Sequence, residues 1–446
     1  MNSTSIFKVF LKYISLNILG QMAYSCYTLA DTFFVSARLG TSGLAALNLA
    51  FPPFCIISGV GLMIGIGGGT GYAIAKTRGE DRNADKGFTN AVFLAAAAVL
   101  IFVLAGLLAA GSIAKFLGAD STVFPMTKAC LQIILLCAPA FITNNLLQCF
   151  VRNDGNPTLA AAAMITGSIS NIILDYLFIF PLDMGIAGAA LATGLAPLIS
   201  LMVLSPYFML RKNNFHFAIS VPDFKSMKKT LSSGVPPFLT ETTSGVVMFL
   251  FNYIILRLAG NTGVAAFSII TVISLVVVAI YTGLSQGIQP VISRSYGAQN
   301  ISDIRTVLKY SMITMLVLSA VIYSVLYFDT ASIVDIFNSD GNEKLRRLAE
   351  AGLRLYFTAC PFIGFNVVLS TYLISTERPV PAQIFSLLRG FFILIPAAFA
   401  LAAIWNMTGV WCSYPLTECM VAAAGAVLYI TNERKRLSST LNCRSQ

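Results

Sequence analysis

The chain has 446 residues, of which 57% are hydrophobic and only 11% are charged. Soluble domains carry about 25% charged residues, so this composition excludes an ordinary soluble fold and indicates a protein embedded in lipid. The formal net charge of +10 comes from lysines and arginines in short segments between apolar stretches, which is typical of membrane proteins and not of nucleic-acid binders.

Twelve hydrophobic segments follow one another, and their apolar runs are continuous rather than alternating. Such runs predict transmembrane helices and not the strands of an outer-membrane barrel. We number these predicted spans 1 to 12 in chain order; they lie at about 9–36, 43–75, 87–111, 123–150, 157–180, 185–210, 229–257, 263–293, 303–327, 347–375, 381–404 and 408–431. The lysine and arginine distribution predicts a multi-pass protein of the plasma membrane with both termini in the cytoplasm.

A short phrase occurs twice, about 220 residues apart, between spans 1 and 2 and again between spans 7 and 8. It begins at Arg38 in the first copy and at Arg257 in the second. The segments before spans 5 and 11 also resemble each other, as do those that open spans 6 and 12. Agreement at three places in the same order predicts an all-α membrane protein of two six-helix lobes, residues 1–215 and 216–446, related by a parallel repeat.

Acidic residues inside predicted spans are the main candidates for function, because a charge at mid-membrane is costly. Asp31 lies in span 1, and Asp175 lies in span 5, four residues after Asn171 and therefore on the same helix face. If spans 1, 5 and 6 meet, these three side chains and Thr193 form a polar cluster that holds either a proton or Na⁺. The plainer alternative is that they only bond helices together.

Two further acids are candidates for the cavity. Glu241 in span 7 aligns with Gln21 when the halves are superposed. It either faces a cleft and receives a cationic substrate, serves as a second ion site, or lies at a helix end near the cytoplasmic headgroups. Glu418 in span 12 has no partner that the sequence identifies. Tyr24 shares one stripe of span 1 with Asp31 and is a further lining candidate, as is the amide of Asn366 in span 10.

The sequence contains no phosphate-binding loop, nucleophile elbow or Cys-x-x-Cys pair, and it has a single histidine. We therefore expect no enzyme activity, no cofactor beyond the coupling ion and no certain metal site, with Na⁺ at Asp31, Asn171 and Asp175 as the one metal alternative. We also expect no nucleic-acid partner. The expected partners are membrane lipid and small cationic or amphiphilic molecules, and the expected state is a monomer.

The chain resembles the multidrug and toxic compound extrusion (MATE) transporters over nearly its whole length. The resemblance is carried by Asp31-Thr32-Phe33-Phe34-Val35 with Arg38-Leu39-Gly40, by Asn171-Ile172-Ile173-Leu174-Asp175, and by the two-lobed repeat. It implies an antiporter that exports organic cations in exchange for H⁺ or Na⁺.

Carried over residue by residue, the resemblance makes Asp31, Asn171, Asp175 and Thr193 the ion or proton site. Gln21 and Tyr24 would line it, and Glu241 matches an acid that some members use for cation coupling. Those members also carry an aspartate in span 10, where this chain offers only the amide of Asn366. The alternative is a lipid-linked oligosaccharide flippase of related two-lobed design.

Overall fold

The computed structural model describes residues 3–219, 222–338 and 341–444, and for residues 3–5, 246, 249 and 432–444 it describes the backbone alone. No strand occurs in these ranges. The helices are α1 (Ser3–Thr77), α2 (Asp81–Leu108), α3 (Ala110–Phe116), α4 (Phe124–Leu136), α5 (Ala138–Asn153), α6 (Pro157–Ile179), α7 (Gly185–Met209), α8 (Phe224–Gly297), α9 (Ile301–Phe328), α10 (Thr330–Phe337), α11 (Glu343–Tyr356), α12 (Cys360–Ser375), α13 (Pro379–Leu387) and α14 (Leu394–Arg444). A 3₁₀ turn (Phe357–Ala359) separates α11 from α12, and a π-helical turn (Leu388–Phe392) separates α13 from α14.

The repeated phrase forms the same sharp break in both halves. Gly40 interrupts α1 with φ 62° and ψ −151°, and Gly260 interrupts α8 with φ 64° and ψ −156°. A side chain with a Cβ rarely adopts these angles, so glycine is what allows two spans to join without a loop. A third break, at Asn406, divides α14.

The span count agrees with the sequence prediction. In the described part of the chain, eight segments are long and apolar enough to cross a membrane, and α4 with α5 forms one further bent pair. Three of those segments contain the breaks at Gly40, Gly260 and Asn406, so counting two spans in each gives the twelve that the sequence predicts.

Predicted span 4 is not a straight helix, because α4 and α5 meet at an angle of 45°. Cys137 separates them, and Pro139 follows at the second position of α5. Proline has no N–H to continue the hydrogen-bond ladder of the preceding turn, so the helix bends at this point.

The described chain forms two compact units. The first comprises Met1–Val246, Ser274–Tyr310 and Thr371–Gln383, and the second comprises Val247–Ile273, Ser311–Ser370 and Ile384–Gln446. Inside the first unit an aromatic cluster packs Tyr72, Phe88, Phe150 and Phe215 together with centroid distances of 4.7–5.7 Å. The division into lobes 1–215 and 216–446 stays a prediction.

Candidate functional site: a buried carboxylate pair beside an amphiphilic cavity

Asn171 and Asp175 lie one turn apart on α6, and both are fully buried. When the Asn171 amide is oriented to satisfy its neighbours, its nitrogen donates to Oδ2 of Asp175 at 2.9 Å. Its oxygen then accepts from the backbone N–H of Thr193 on α7 at 3.3 Å. The structure therefore brings these three predicted residues together, although Thr193 contacts the amide through its backbone.

Asp31 on α1 is 8% exposed, and its Oδ1 atom is buried without a hydrogen-bond partner among the described residues. The Oδ1 atom of Asp175 is likewise buried and has no hydrogen-bond partner among the described residues. The two carboxyl groups are close enough for the charge of Asp31 to act on Asp175. Because a buried carboxylate without a partner is costly, and two near each other more so, this pair has the chemistry of a site for a proton or a monovalent cation.

Tyr27 borders both this carboxylate pair and a cavity of the first unit. The charges of Asp31 and Asp175 both act on its phenol group, and the same residue lines the cavity. Its ring packs edge-to-face on Tyr24 with a centroid distance of 4.8 Å. Tyr24, Gln21 and Thr193 also line the cavity, whereas neither aspartate is among its lining residues.

The cavity encloses about 830 Å³, part of it open to solvent, and its wall mixes aromatic rings with amide groups. Phe54 and Phe141 pack edge-to-face at 5.3 Å on the apolar side. On the polar side Gln148 donates to Asn144 at 2.9 Å and to Ser200 at 3.1 Å. A wall that mixes aromatic rings with fixed polar groups suits amphiphilic organic molecules.

Glu241 contributes the one carboxylate among the described lining residues. It is half-buried, and it forms no hydrogen bond or ion pair with another described residue. A half-buried acid without a partner is a natural contact for a cationic group on a ligand. That Glu241 receives a cationic substrate stays a prediction.

Arg152 is a cavity residue that sequence reasoning missed, because it lies next to the polar segment before span 5. It is 2% exposed, and its guanidinium donates to Asn17 at 2.7 Å and to Gln286 at 2.6 Å, both neutral side chains. A usable signal was present: Asn144, Gln148 and Arg152 are spaced by four residues and therefore lie on one face of α5.

Glu418 has a partner after all, contrary to the sequence analysis. It is fully buried in the second unit, where Nε of Arg389 donates to one carboxylate oxygen. Nδ2 of Asn366 donates to the other at 2.7 Å. Arg389 lies in the π-helical turn. A π-helical turn does not follow the 3.6-residue period of an α-helix, so the period did not predict which way the Arg389 side chain faces. Neither Glu418 nor Asn366 lines the cavity of the first unit.

A family model, curated relatives and solved structures all match this chain to the same family. The family model MatE matches residues 17–177 and 236–400. The multidrug export protein MepA of Staphylococcus saprophyticus is 25% identical over 436 residues, covering 97% of this chain and 95% of that protein. MepA of Staphylococcus aureus strain MSSA476 is 26% identical over 435 residues, covering 96% and 95%. A structure of a multidrug resistance MATE family transporter in an outward-facing conformation superposes with a TM-score of 0.90 at 21% identity, covering 98% of each chain.

Proposed function

The chain belongs to the MatE family, and from that membership and its cavity we propose that it is a multidrug efflux antiporter. It exports organic cations or amphiphilic compounds in exchange for H⁺ or Na⁺. The observation that carries this proposal is the pair of buried, unsatisfied carboxyl groups of Asp31 and Asp175 beside an amphiphilic cavity. The protein acts as a monomer in the plasma membrane, with both termini in the cytoplasm.

The proposed cycle couples the charge state of the carboxylate pair to access. A proton or Na⁺ at Asp31 and Asp175 removes the repulsion between them and favours one arrangement of the spans, while its release favours the other. Tyr27 transmits the change, because it contacts the cavity and experiences both charges. Glu241 holds the cationic group of the substrate.

The available driving force is sufficient. One elementary charge crossing ~100 mV supplies about 2.3 kcal/mol, which supports roughly a fifty-fold gradient of a neutral substrate. If one proton exchanges for one monovalent cation, the electrical contribution cancels and only the pH difference drives export. The coupling stoichiometry therefore determines how far a cationic drug is concentrated.

The test is ethidium transport into vesicles that contain the purified protein, with the pH gradient and the Na⁺ gradient imposed separately. We expect one gradient alone to drive transport, and we expect Asp31→Asn and Asp175→Asn to abolish that dependence. Asp183→Asn is the matched control, because Asp183 is an acid that lies at the surface with a side chain 70% exposed. Wild-type coupling in both aspartate variants would exclude the proposed ion site.

Arg152 gives some support to the flippase alternative, because a cation in the cavity wall suits a pyrophosphate. Its guanidinium is already bonded to Asn17 and Gln286, however, whereas the carboxylate of Glu241 is free. A cationic substrate therefore fits better than a doubly charged anion. Glu241→Gln separates the two: it should weaken binding of ethidium, and a protein that flips a lipid-linked anion would instead bind its substrate as well or better.

A further inference from the structure

The two sequence halves meet inside the first unit along a line of glycines, where α1 packs on α8. A Cβ on Gly67 would overlap the carbonyl oxygen of Thr230, and one on Gly234 would overlap that of Met63. Gly283 likewise lies so close to α1 that a Cβ would be 2.5 Å from Cα of Ile18. We call these contacts the seam. Small residues allow two helix backbones to approach this closely.

Polar side chains also bond across the seam. Gln289 of α8 donates to the hydroxyl of Thr70 at 2.8 Å and accepts from the Asn153 amide at 3.0 Å. Arg294 donates to the backbone oxygen of Asn153 at 2.5 Å. A permanent interface would bury apolar side chains, whereas these groups can exchange their partners for water at little cost. The seam thus has the composition of an interface that opens.

One ion pair crosses the seam at its rim. Glu377, which follows α12, contacts Arg78 at the end of α1 with a distance of 3.7 Å. Lys229 lies 2.6 Å from the other carboxylate oxygen and belongs to the same half as Glu377, so it positions the acid. Arg294, at the equivalent end of α8, makes the reciprocal contact to residue 153. Each half therefore reaches the other through the basic residue that ends its second span.

The backbone at Glu377 adds an independent observation. Glu377 has φ 58°, in the left-handed region that favours glycine. In the first half, the corresponding position two residues before the proline is Gly155, with φ 98°. A glutamate thus stands where the repeat accommodates glycine more easily, and its carboxylate forms the ion pair with Arg78 across the seam. Such strain at a residue points to a role for the side chain and not for the fold.

We infer that Glu377 is the latch of a gate: its ion pair with Arg78 holds the seam closed, and breaking that pair shifts the protein toward a state open at this end. This inference rests on the proposed transport function, and by the predicted topology the gate faces the cytoplasm. The pair suits a gate that must open in every cycle, because the Arg78 and Glu377 side chains are 34% and 22% exposed and water can replace their contact.

The test measures opening directly, without any drug. Ser293 of α8 is fully buried in the seam, where it accepts from Gln289 at 3.3 Å, so Ser293→Cys in a background without other cysteines reports opening through its rate of maleimide labelling. Protein in lipid nanodiscs exposes both faces to the reagent, so the measurement requires no assumption about orientation. We expect Glu377→Gln to raise the labelling rate about 1.5- to 5-fold, the range for a partly exposed ion pair.

Four comparisons make the result decisive. Arg78→Gln should also raise the labelling rate, and the double variant should raise it by less than the two single effects combined, because both changes remove the same contact between Arg78 and Glu377. Glu377→Gly should also raise the labelling rate. It should leave thermal stability unchanged or higher, because glycine adopts the backbone angle of this position without strain, whereas loss of a purely structural group would lower stability. Glu80→Gln is the matched control, since Glu80 bonds to Asn83 within its own half.

Unchanged labelling in Glu377→Gln, or additive effects of Glu377→Gln and Arg78→Gln, would overturn the latch. Failure of the proposed function is distinguishable. If the wild-type protein moved no ethidium under either gradient, the antiporter proposal would fall, whereas the labelling comparison among variants would still report on the gate.

Discussion

The buried ion pair of the second unit gives the sharpest stability prediction. Glu418 is fully buried and the Arg389 side chain is only 20% exposed, so water can replace little of the contact that either charge loses when the other is removed. Breaking a buried pair by removing one partner costs about 3–5 kcal/mol. Since Arg389 retains some exposure, we expect Glu418→Gln to lower the free energy of unfolding by about 3 kcal/mol, roughly a 150-fold change in the unfolding equilibrium.

The double variant Glu418→Gln with Arg389→Met should recover most of that loss. It removes both charges, and the glutamine oxygen still accepts the hydrogen bond that Asn366 donates at 2.7 Å in the native protein. Replacing both partners of a buried pair is often close to neutral, so we expect the double variant to lose only about 1 kcal/mol. With the single variant Arg389→Met measured as well, the change in the double variant minus the sum of the two single changes is the coupling energy of the pair.

The assay is reversible unfolding by SDS in mixed micelles, followed by tryptophan fluorescence. The chain has two tryptophans, and Trp411 is 1% exposed in the same unit as Glu418, so its emission reports on the relevant packing. Asp183→Asn is the control, because Asp183 also pairs with an arginine, Arg38, at 2.9 Å, but the two side chains are 70% and 47% exposed. Loss of this exposed pair should change the free energy of unfolding by less than about 1 kcal/mol. If Glu418→Gln cost no more than Asp183→Asn, or if the double variant lost more than either single one, the burial argument would be refuted.

Two further substitutions test packing elsewhere in the first unit. Gly67→Ala should abolish transport or the yield of folded protein, because the new methyl group overlaps the Thr230 carbonyl; Gly71→Ala, where a Cβ meets nothing within 4 Å, should leave both unchanged. Asp154→Asn should lower the free energy of unfolding by about 2–3 kcal/mol, because the carboxylate accepts from the hydroxyls of Tyr72 at 2.5 Å and Tyr207 at 2.6 Å. The same SDS titration measures the second change, and a loss below about 0.5 kcal/mol would contradict it.

Periodicity and repetition predicted the spans because each of these signals is local. The match between the two copies of the phrase extends to the backbone angles of Gly40 and Gly260, which the sequence could only suggest by placing glycine in both. The spacing of four between Asn171 and Asp175 likewise predicted a contact within one helix, and the two side chains are adjacent.

Contacts between distant residues were the part that the sequence did not predict. Arg389 and Glu418 are separated by a helix boundary and a π-helical turn, and nothing in their spacing pairs them. Arg152 was counted with the polar segment that follows it, whereas packing against Asn17 and Gln286 buries it. A charged residue in a sequence is predicted to be exposed, and only the tertiary packing determines whether another helix buries it.

The single-residue breaks at Gly40 and Gly260 also bear on how the protein can be handled. Helical geometry resumes directly on both sides of each glycine, so each pair of spans forms a helical hairpin without an extended loop. A protease or an antibody therefore has no extended segment to bind at these two positions. The stretch between Met209 and Phe224 is different, since its described residues lie outside any helix. An epitope tag or a cleavage site belongs in its exposed first part, residues 210–212, ahead of the buried Phe215, where it would divide the chain between its two repeats and leave each hairpin whole.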